Sequence, residues 1–207
     1  MPTLLANGGP VIWLILTAAA TAAVVFVERA LFCHRSQINS AEFLNGVRNV
    51  LKRDNVVEAI SICDATFGPV ARLVKTAILT RDKGRDRVRE AVEEAGLTEV
   101  PRLEEKLNLL ATIAQISPLL GLFGTIVGFI RVFMNLQQAG LYAHISGGPD
   151  SLATGVWEAL ICAAAGIAVA IPAHAGYNYL VSRVNKIVLD MERAAAEIVN
   201  IVTENGK

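Results

Sequence analysis

The chain has 207 residues and a formal net charge of zero, with 53% hydrophobic and only 18% charged residues and a mean hydropathy of +0.46. That balance points away from a soluble domain and toward a membrane protein, and neutrality offers no basis for binding nucleic acid or an anionic surface. Cys33, Cys63 and Cys162 are odd in number and include no CxxC pair, so they read as reduced structural thiols.

Residues 1–31 are expected to form an outer N-terminus and a first membrane helix. The apolar run 11–27 ends in Glu28-Arg29, and no Lys or Arg precedes it. Lacking a basic leader, it reads as a retained anchor rather than a cleavable signal. Residues 32–106 follow as a cytoplasmic helical region. They carry thirteen of the 19 Lys and Arg residues, which the positive-inside rule assigns to the cytoplasm.

Within that region the pattern is helical and amphipathic. Phe43, Leu44, Val47, Val50 and Leu51 share one helical face, and Asp54-Asn55 marks a turn and a cap. Two short helices are expected over 56–65 and 69–79, then a polar break at RDKGRDR from Arg81. A helix over 87–95 should stop at Gly96. After Pro101 the pattern Leu103, Leu107, Leu110 predicts a helix running without interruption into the second span. The charge-mixed surface of these helices reads as a solvated bundle, a docking surface being the alternative.

The second span is expected over 107–131, an outer loop over 132–149, and a third span over 150–182. Residues 183–207 should continue as a cytoplasmic C-terminal helix on the stripe Val181, Val184, Val188, Met191, Ala195, Ile198, Val202. The three apolar segments are each about 17–26 residues long, enough at about 1.5 Å per residue to cross a hydrocarbon core about 30 Å thick. Trp13 and Trp157 fall at outer ends, and Tyr177, Asn178 and Tyr179 form an inner interfacial belt. Arg131 reads as an anchor for the outer end of span two, a partner contact being the alternative. Pro149 suits the first turn of the third long helix. The fold class is an all-α membrane protein, with three transmembrane helices, a helical cytoplasmic domain, and spans two and three extended into the cytoplasm.

Gly121, Gly124, Thr125 and Gly128 are spaced so as to share one face of span two, extended by Ser117. Such a face lets another helix approach closely in lipid, where packing drives association. Span three is almost wholly small from Cys162 through Ala163, Gly166 and Ala170 to Ala173. Two such faces suggest assembly of several copies around an axis. With Arg131 and Trp157 as outer markers, Thr125 and Ala163 both lie about 9 Å below the outer surface at 1.5 Å per residue. A ring would then present a level of Thr125 hydroxyls. Apart from Glu158, the cores of spans two and three hold no carboxylate and no Lys, so a proton carrier would have to come from a partner. His174 is a candidate exit-side polar group or pH sensor, or a neutral interfacial histidine. His34 and His144 are too distant in sequence to suggest a metal site, and there is no HExxH or GxSxG. No metal, cofactor or enzymatic activity is expected.

SPLLGLFGTIVGFIRVF (117–133) followed by EALICAAAGIAVAIPAHAGYNYL (158–180) resembles the ExbB/TolQ/MotA proton-channel family, and is most similar to its ExbB branch. The resemblance implies a homopentamer in the bacterial inner membrane, N-terminus periplasmic and C-terminus cytoplasmic, with the second and third helices lining a pore. It implies a dimeric ExbD-like single-span partner whose membrane aspartate carries the proton, and energisation of a TonB-like protein. Thr125 matches the family's pore threonine, and Glu158 the glutamate of its EAL motif. The alternative for Thr125 is a hydroxyl bonded to the Gly121 carbonyl of its own helix, and for Glu158 a carboxylate stabilised near a helix start. Pro118 and Pro172 match prolines of the family pattern and are expected to kink or loosen their helices. Ala163 departs from the family's frequent second threonine, so either Thr125 with Glu158 suffices or Cys162 and water stand in for it. A TolQ-like envelope subunit, another motor stator, and a non-conducting scaffold are the alternatives.

Overall fold

The computed structural model describes residues 9–139 and 149–204, with side chains described for 11–134, 137 and 155–203. The described residues are helical throughout apart from short connections. Seven α-helices follow in order: α1 (Gly9–Ser36), α2 (Ser40–Leu51), α3 (Val56–Ala65), α4 (Pro69–Leu79), α5 (Arg85–Glu104), α6 (Leu107–Ala139) and α7 (Pro149–Glu204), with a 3₁₀ turn at Arg81–Lys83. Among the described residues, three helices are long and apolar enough to cross a membrane. Only 28% of each apolar window is buried within the chain, so most of that surface needs lipid or other helices around it. The loop residues 140–148, with His144 and Gly147-Gly148, lie outside the described residues. Helix α6 continues past Arg131 to Ala139, beyond the end expected for the second span.

Two compact units share these helices. The first comprises Met1–Val27 and Lys106–Asn178, the second Glu28–Glu105 and Tyr179–Lys207. In the second unit, two asparagines start helices by the same device. The Asn39 carboxamide oxygen accepts from the Glu42 amide at 3.5 Å and that of Asn55 from the Glu58 amide at 3.4 Å, while each Nδ2 bonds the glutamate side chain in return. These are reciprocal caps that satisfy otherwise unpaired helix-start groups. Helix α4 packs against α3 and α5, burying Val70, Leu73, Val74, Ala77 and Ile78.

The C-terminal part of α7 buries Leu180, Val184, Ile187, Met191, Ala194, Ile198 and Ile201. Steps of four and three residues make a heptad-like seam. Val181, Val188 and Ala195 flank this seam only half-buried, so its centre lies closer to Ile187 and Ala194 than the apolar spacing alone indicated.

Two expectations about α5 are corrected. The helix does not stop at Gly96, and no uninterrupted helix runs from Pro101 into the second span; α5 passes through both residues and ends at Glu104. A Cβ at Gly96 would meet nothing within 4 Å, so glycine there carries only its helix penalty, about 1 kcal/mol. The break falls at Glu105 and Lys106, where Lys106 takes φ +63°. Arg29, buried on α1, donates to the Arg102 carbonyl at 3.3 Å and pairs with Glu105 at 3.0 Å. A guanidinium on the last carbonyls of a helix stabilises its end, and a residue 73 positions away is invisible to local pattern.

Glu99, also buried, is held between Arg102 at 2.9 Å and Arg72 at 3.4 Å. Removing both cations while leaving the carboxylate should cost about 3 kcal/mol or more, whereas replacing the carboxylate by a well-packed apolar group costs less. Thermal unfolding should therefore show the Arg72→Ala/Arg102→Ala double variant melting below Glu99→Met.

Cys63 is buried on α3. Burial pushes its thiol up from near 9 to about 11, the Asp64 carboxylate adding to the rise and Lys75 opposing it. The thiolate is the reactive form, so two units of pH predict alkylation at neutral pH about a hundredfold slower than for an ordinary thiol. The folded thiol ionises later than the unfolded one. Its contribution to stability is therefore complete below about pH 9 and lost as pH rises through about 11; rate–pH profiles of alkylation and melting curves across that window check both.

Candidate functional site

Helices α6 and α7 lie against each other in the first unit through residues without bulk. A Cβ placed on Gly128 would lie 3.0 Å from the Ala159 Cβ, one on Gly124 2.6 Å from the Cys162 Cβ, and one on Gly121 3.0 Å from the Cys162 carbonyl oxygen and 3.2 Å from that of Ala163. One on Gly166 would lie 2.6 Å from the Ser117 carbonyl oxygen and 2.8 Å from the Gly121 Cα. The pairs run in opposite directions along the two helices, so the register is antiparallel. Further along, Gly155 abuts Val132.

This places the small-residue faces within one chain. Gly121, Gly124 and Gly128 are buried against α7, so their spacing supplies no argument for joining one copy to another. The surface left for lipid or other helices carries large side chains, including Leu122, Phe123, Ile126 and Ile130 on α6 and Leu160, Ile167 and Ile171 on α7.

Thr125 sits beside the packed stripe, level with Cys162 by that register, and is half-exposed. Its hydroxyl donates to the Leu122 carbonyl at 2.6 Å, three residues back rather than to Gly121 as the alternative reading had it. A hydroxyl has one hydrogen and two lone pairs. With the hydrogen committed to the backbone, the Thr125 oxygen can still accept from a donor at its open side. Ser117, by contrast, is buried and donates to the Ile113 carbonyl at 2.6 Å, so it is a packing residue.

Glu158 lies on α7 beside Ala159, the partner of Gly128. That is about one helical turn from the Thr125 level, roughly 5 Å. It lines a crevice of about 10 Å³ with Val11, Gly124, Val127, Gly128, Arg131 and Cys162, about the room a single water occupies. Glu158 makes no ion pair among the described residues. The crevice brings Arg131 and the α1 residue Val11 to the same place as Glu158. Their meeting was not identifiable from local pattern, since Arg131 read as an end anchor or a partner contact and Val11 as one apolar residue of many.

Ala163 is half-buried. Cys162 is buried against Gly124, which removes it as an open substitute for a hydroxyl at the neighbouring position. Pro118 and Pro172 both lie inside uninterrupted helices, their missing amides depriving the Ala114 and Ala168 carbonyls of a helical partner. His174 is exposed on α7, two residues after Pro172 and away from the Thr125–Glu158 level.

A model of the MotA/TolQ/ExbB proton channel family matches residues 65–193, more than half of the sequence. The chain belongs to the MotA/TolQ/ExbB proton channel family. Among curated relatives, the putative biopolymer transport protein ExbB-like 1 of Synechocystis sp. is 33% identical over 177 residues, covering 85% of this chain and 68% of that protein. A putative biopolymer transport protein ExbB homolog of Methanothermobacter thermautotrophicus is 24% identical over 180 residues, 86% of this chain and 62% of its own length. The Tol-Pal system protein TolQ of Haemophilus influenzae is 40% identical over 107 residues, 50% of this chain and 43% of that protein. The chain thus spans less than two thirds of the length of two of these three MotA/TolQ/ExbB relatives.

Proposed function

We propose that the chain is an ExbB-like subunit of a proton-driven inner-membrane motor that energises TonB-type transport across the outer membrane. Several copies, five by the family resemblance, would surround the single spans of an ExbD-like partner carrying a membrane aspartate, with α6 and α7 facing that partner. The N-terminus would be periplasmic and the C-terminus cytoplasmic.

The observation that carries this reading is the state of the Thr125 hydroxyl. Its hydrogen is used by Leu122, so the oxygen offers an acceptor, and the matching donor is a protonated carboxylic acid. A carboxylate would meet lone pairs. Thr125 therefore favours the neutral, proton-bearing form of a partner's acid in an otherwise apolar wall, which is the form that must move through it. Glu158, a turn nearer the outer end, is placed to exchange a proton with water entering from that side.

The native mass of the tagged complex, purified from its own host in mild detergent, tests the proposal. Several copies together with a smaller single-span protein bearing a membrane aspartate are expected. A species that never retains such a protein would leave the channel without a proton carrier and favour a scaffold. The TolQ relative at 40% identity supports a second reading, an envelope-maintenance subunit. The co-purifying partner's deletion phenotype separates the two: loss of TonB-type uptake supports the first reading, and loss of envelope integrity the second.

A further inference from the structure

In the second unit the loop joining α3 to α4 is held on the end of α1. Gly68 takes φ +146°, and a Cβ there would lie 3.3 Å from the Ser36 carbonyl oxygen, so the glycine both accepts the backbone angle and allows the close approach. The preceding residue, Phe67, meets Phe32 of α1 edge to face, with ring centroids 6.2 Å apart. Despite that contact Phe67 is 55% exposed, and Leu31, which precedes Phe32 on α1, is 58% exposed. A phenylalanine at a loop tip, backed by a second ring and still half-exposed, leaves an apolar face open.

The location explains it. Phe32 lies five residues beyond Val27, the last residue of the charge-free run of α1. That is about 7.5 Å along a helix, the depth of the headgroup zone flanking the hydrocarbon core. Exposed His34 and Arg35 follow on the same helix and make no ion pair among the described residues. Arg183 of α7 reaches Gln37 at 3.4 Å and stacks over the Tyr179 ring at 5.1 Å. Aromatic rings near basic side chains are the composition of a membrane interface, and Arg35 and Arg183 complement anionic headgroups.

We propose that the 66–68 loop is a membrane-surface anchor. Phe67, backed by Phe32, inserts into the headgroup–acyl boundary of the leaflet on the charge-rich side, and so holds the α3–α4 hairpin against the bilayer. The occupant of this surface is lipid, not a second protein. Because Gly68 and Phe32 position Phe67, the contact forms with folding and needs no ligand.

The test is tryptophan depth in the full chain. In a Trp13→Phe/Trp157→Phe background, Phe67→Trp is compared with Leu79→Trp, which is 60% exposed at the far end of α4, about 15 Å from Pro69 along the helix. Both are reconstituted in nanodiscs of phosphatidylethanolamine and phosphatidylglycerol. The tryptophan at 67 should be blue-shifted, lose most of its emission to lipids brominated near the carbonyl end, and resist iodide; the one at 79 should show the reverse. Iodide quenching at 67 equal to that at 79 would overturn the anchor. So would shielding at 67 from both quenchers, which would mean that protein covers the ring. If Phe67→Trp does not accumulate, 4-fluorophenylalanine placed at position 67 retains the native shape, and its ¹⁹F relaxation by lipid-borne against aqueous paramagnets gives the same two-way answer.

Discussion

Thr125→Val is expected to reduce proton uptake by the reconstituted complex about fivefold or more while leaving its mass and melting temperature nearly unchanged. Valine has the shape of threonine without the oxygen. The Leu122 carbonyl that accepts the hydroxyl is a mid-helix acceptor already served by the backbone, so folding loses little. What disappears is the acceptor offered to a proton-bearing acid. Leaving that acid's hydrogen unsatisfied in the apolar wall costs about 1–3 kcal/mol in the crossing step, which corresponds to roughly a five- to hundredfold slower passage. Thr125→Ser keeps the oxygen and should retain most of the activity. Flux through dye-loaded proteoliposomes at a fixed proton gradient measures both. Unchanged flux in the valine variant would remove Thr125 from the pathway.

Gly166→Ala should have the largest structural effect of any single methyl added to the membrane helices. Its Cβ would stand 2.6 Å from the Ser117 carbonyl oxygen and 2.8–2.9 Å from Gly121 backbone atoms. No side chain can rotate to relieve such contacts, so α6 and α7 must separate. Overpacking of this kind costs about 1–3 kcal/mol or more, and a lower melting temperature in detergent is expected. Gly124→Ala differs in a testable way, because its new methyl would meet the Cys162 side chain, with Cβ at 2.6 Å and Sγ at 3.1 Å. Cys162→Gly removes both atoms and should recover part of the Gly124→Ala loss, whereas it should leave Gly166→Ala unrescued. Gly166→Ala and Gly124→Ala both melting with the unsubstituted protein would show that the helices are not held at this distance.

Both predictions draw on residues that stood out before any coordinates, although their roles changed on the way. The glycine face of the second span was legible because small residues at helical spacing have few uses in an apolar segment. Its partner was not. Spacing within one helix says that something approaches closely, while the identity of that neighbour is a property of the folded chain. The contacts of Gly121, Gly124 and Gly128 with α7 place it in the same molecule. Thr125 was likewise visible as the hydroxyl set among those glycines, but the carbonyl taking its hydrogen, and hence whether the oxygen is left to accept, depends on a rotamer. Glu158 was visible through its motif, whereas the crevice it shares with Val11 and Arg131 joins three helices.

The same division runs through the second unit. Short-range rules located the Asn55 cap and the Pro69 start, since the groups that satisfy a helix end lie within four residues of it. They misplaced the end of α5, because Gly96 and Pro101 are weak stops when packing favours continuation. The real end is secured by Arg29, far away in sequence.

The sequence by itself determined that the chain is helical, has three spans apolar enough for a membrane and gathers most of its positive charge between the first and second of them, because hydropathy and charge are carried residue by residue. Only the tertiary structure decided which small residues meet, which way the Thr125 hydrogen points, and where α5 gives way to α6. Those are short-range contacts between distant parts of the chain, and their energies exist only once the helices are side by side.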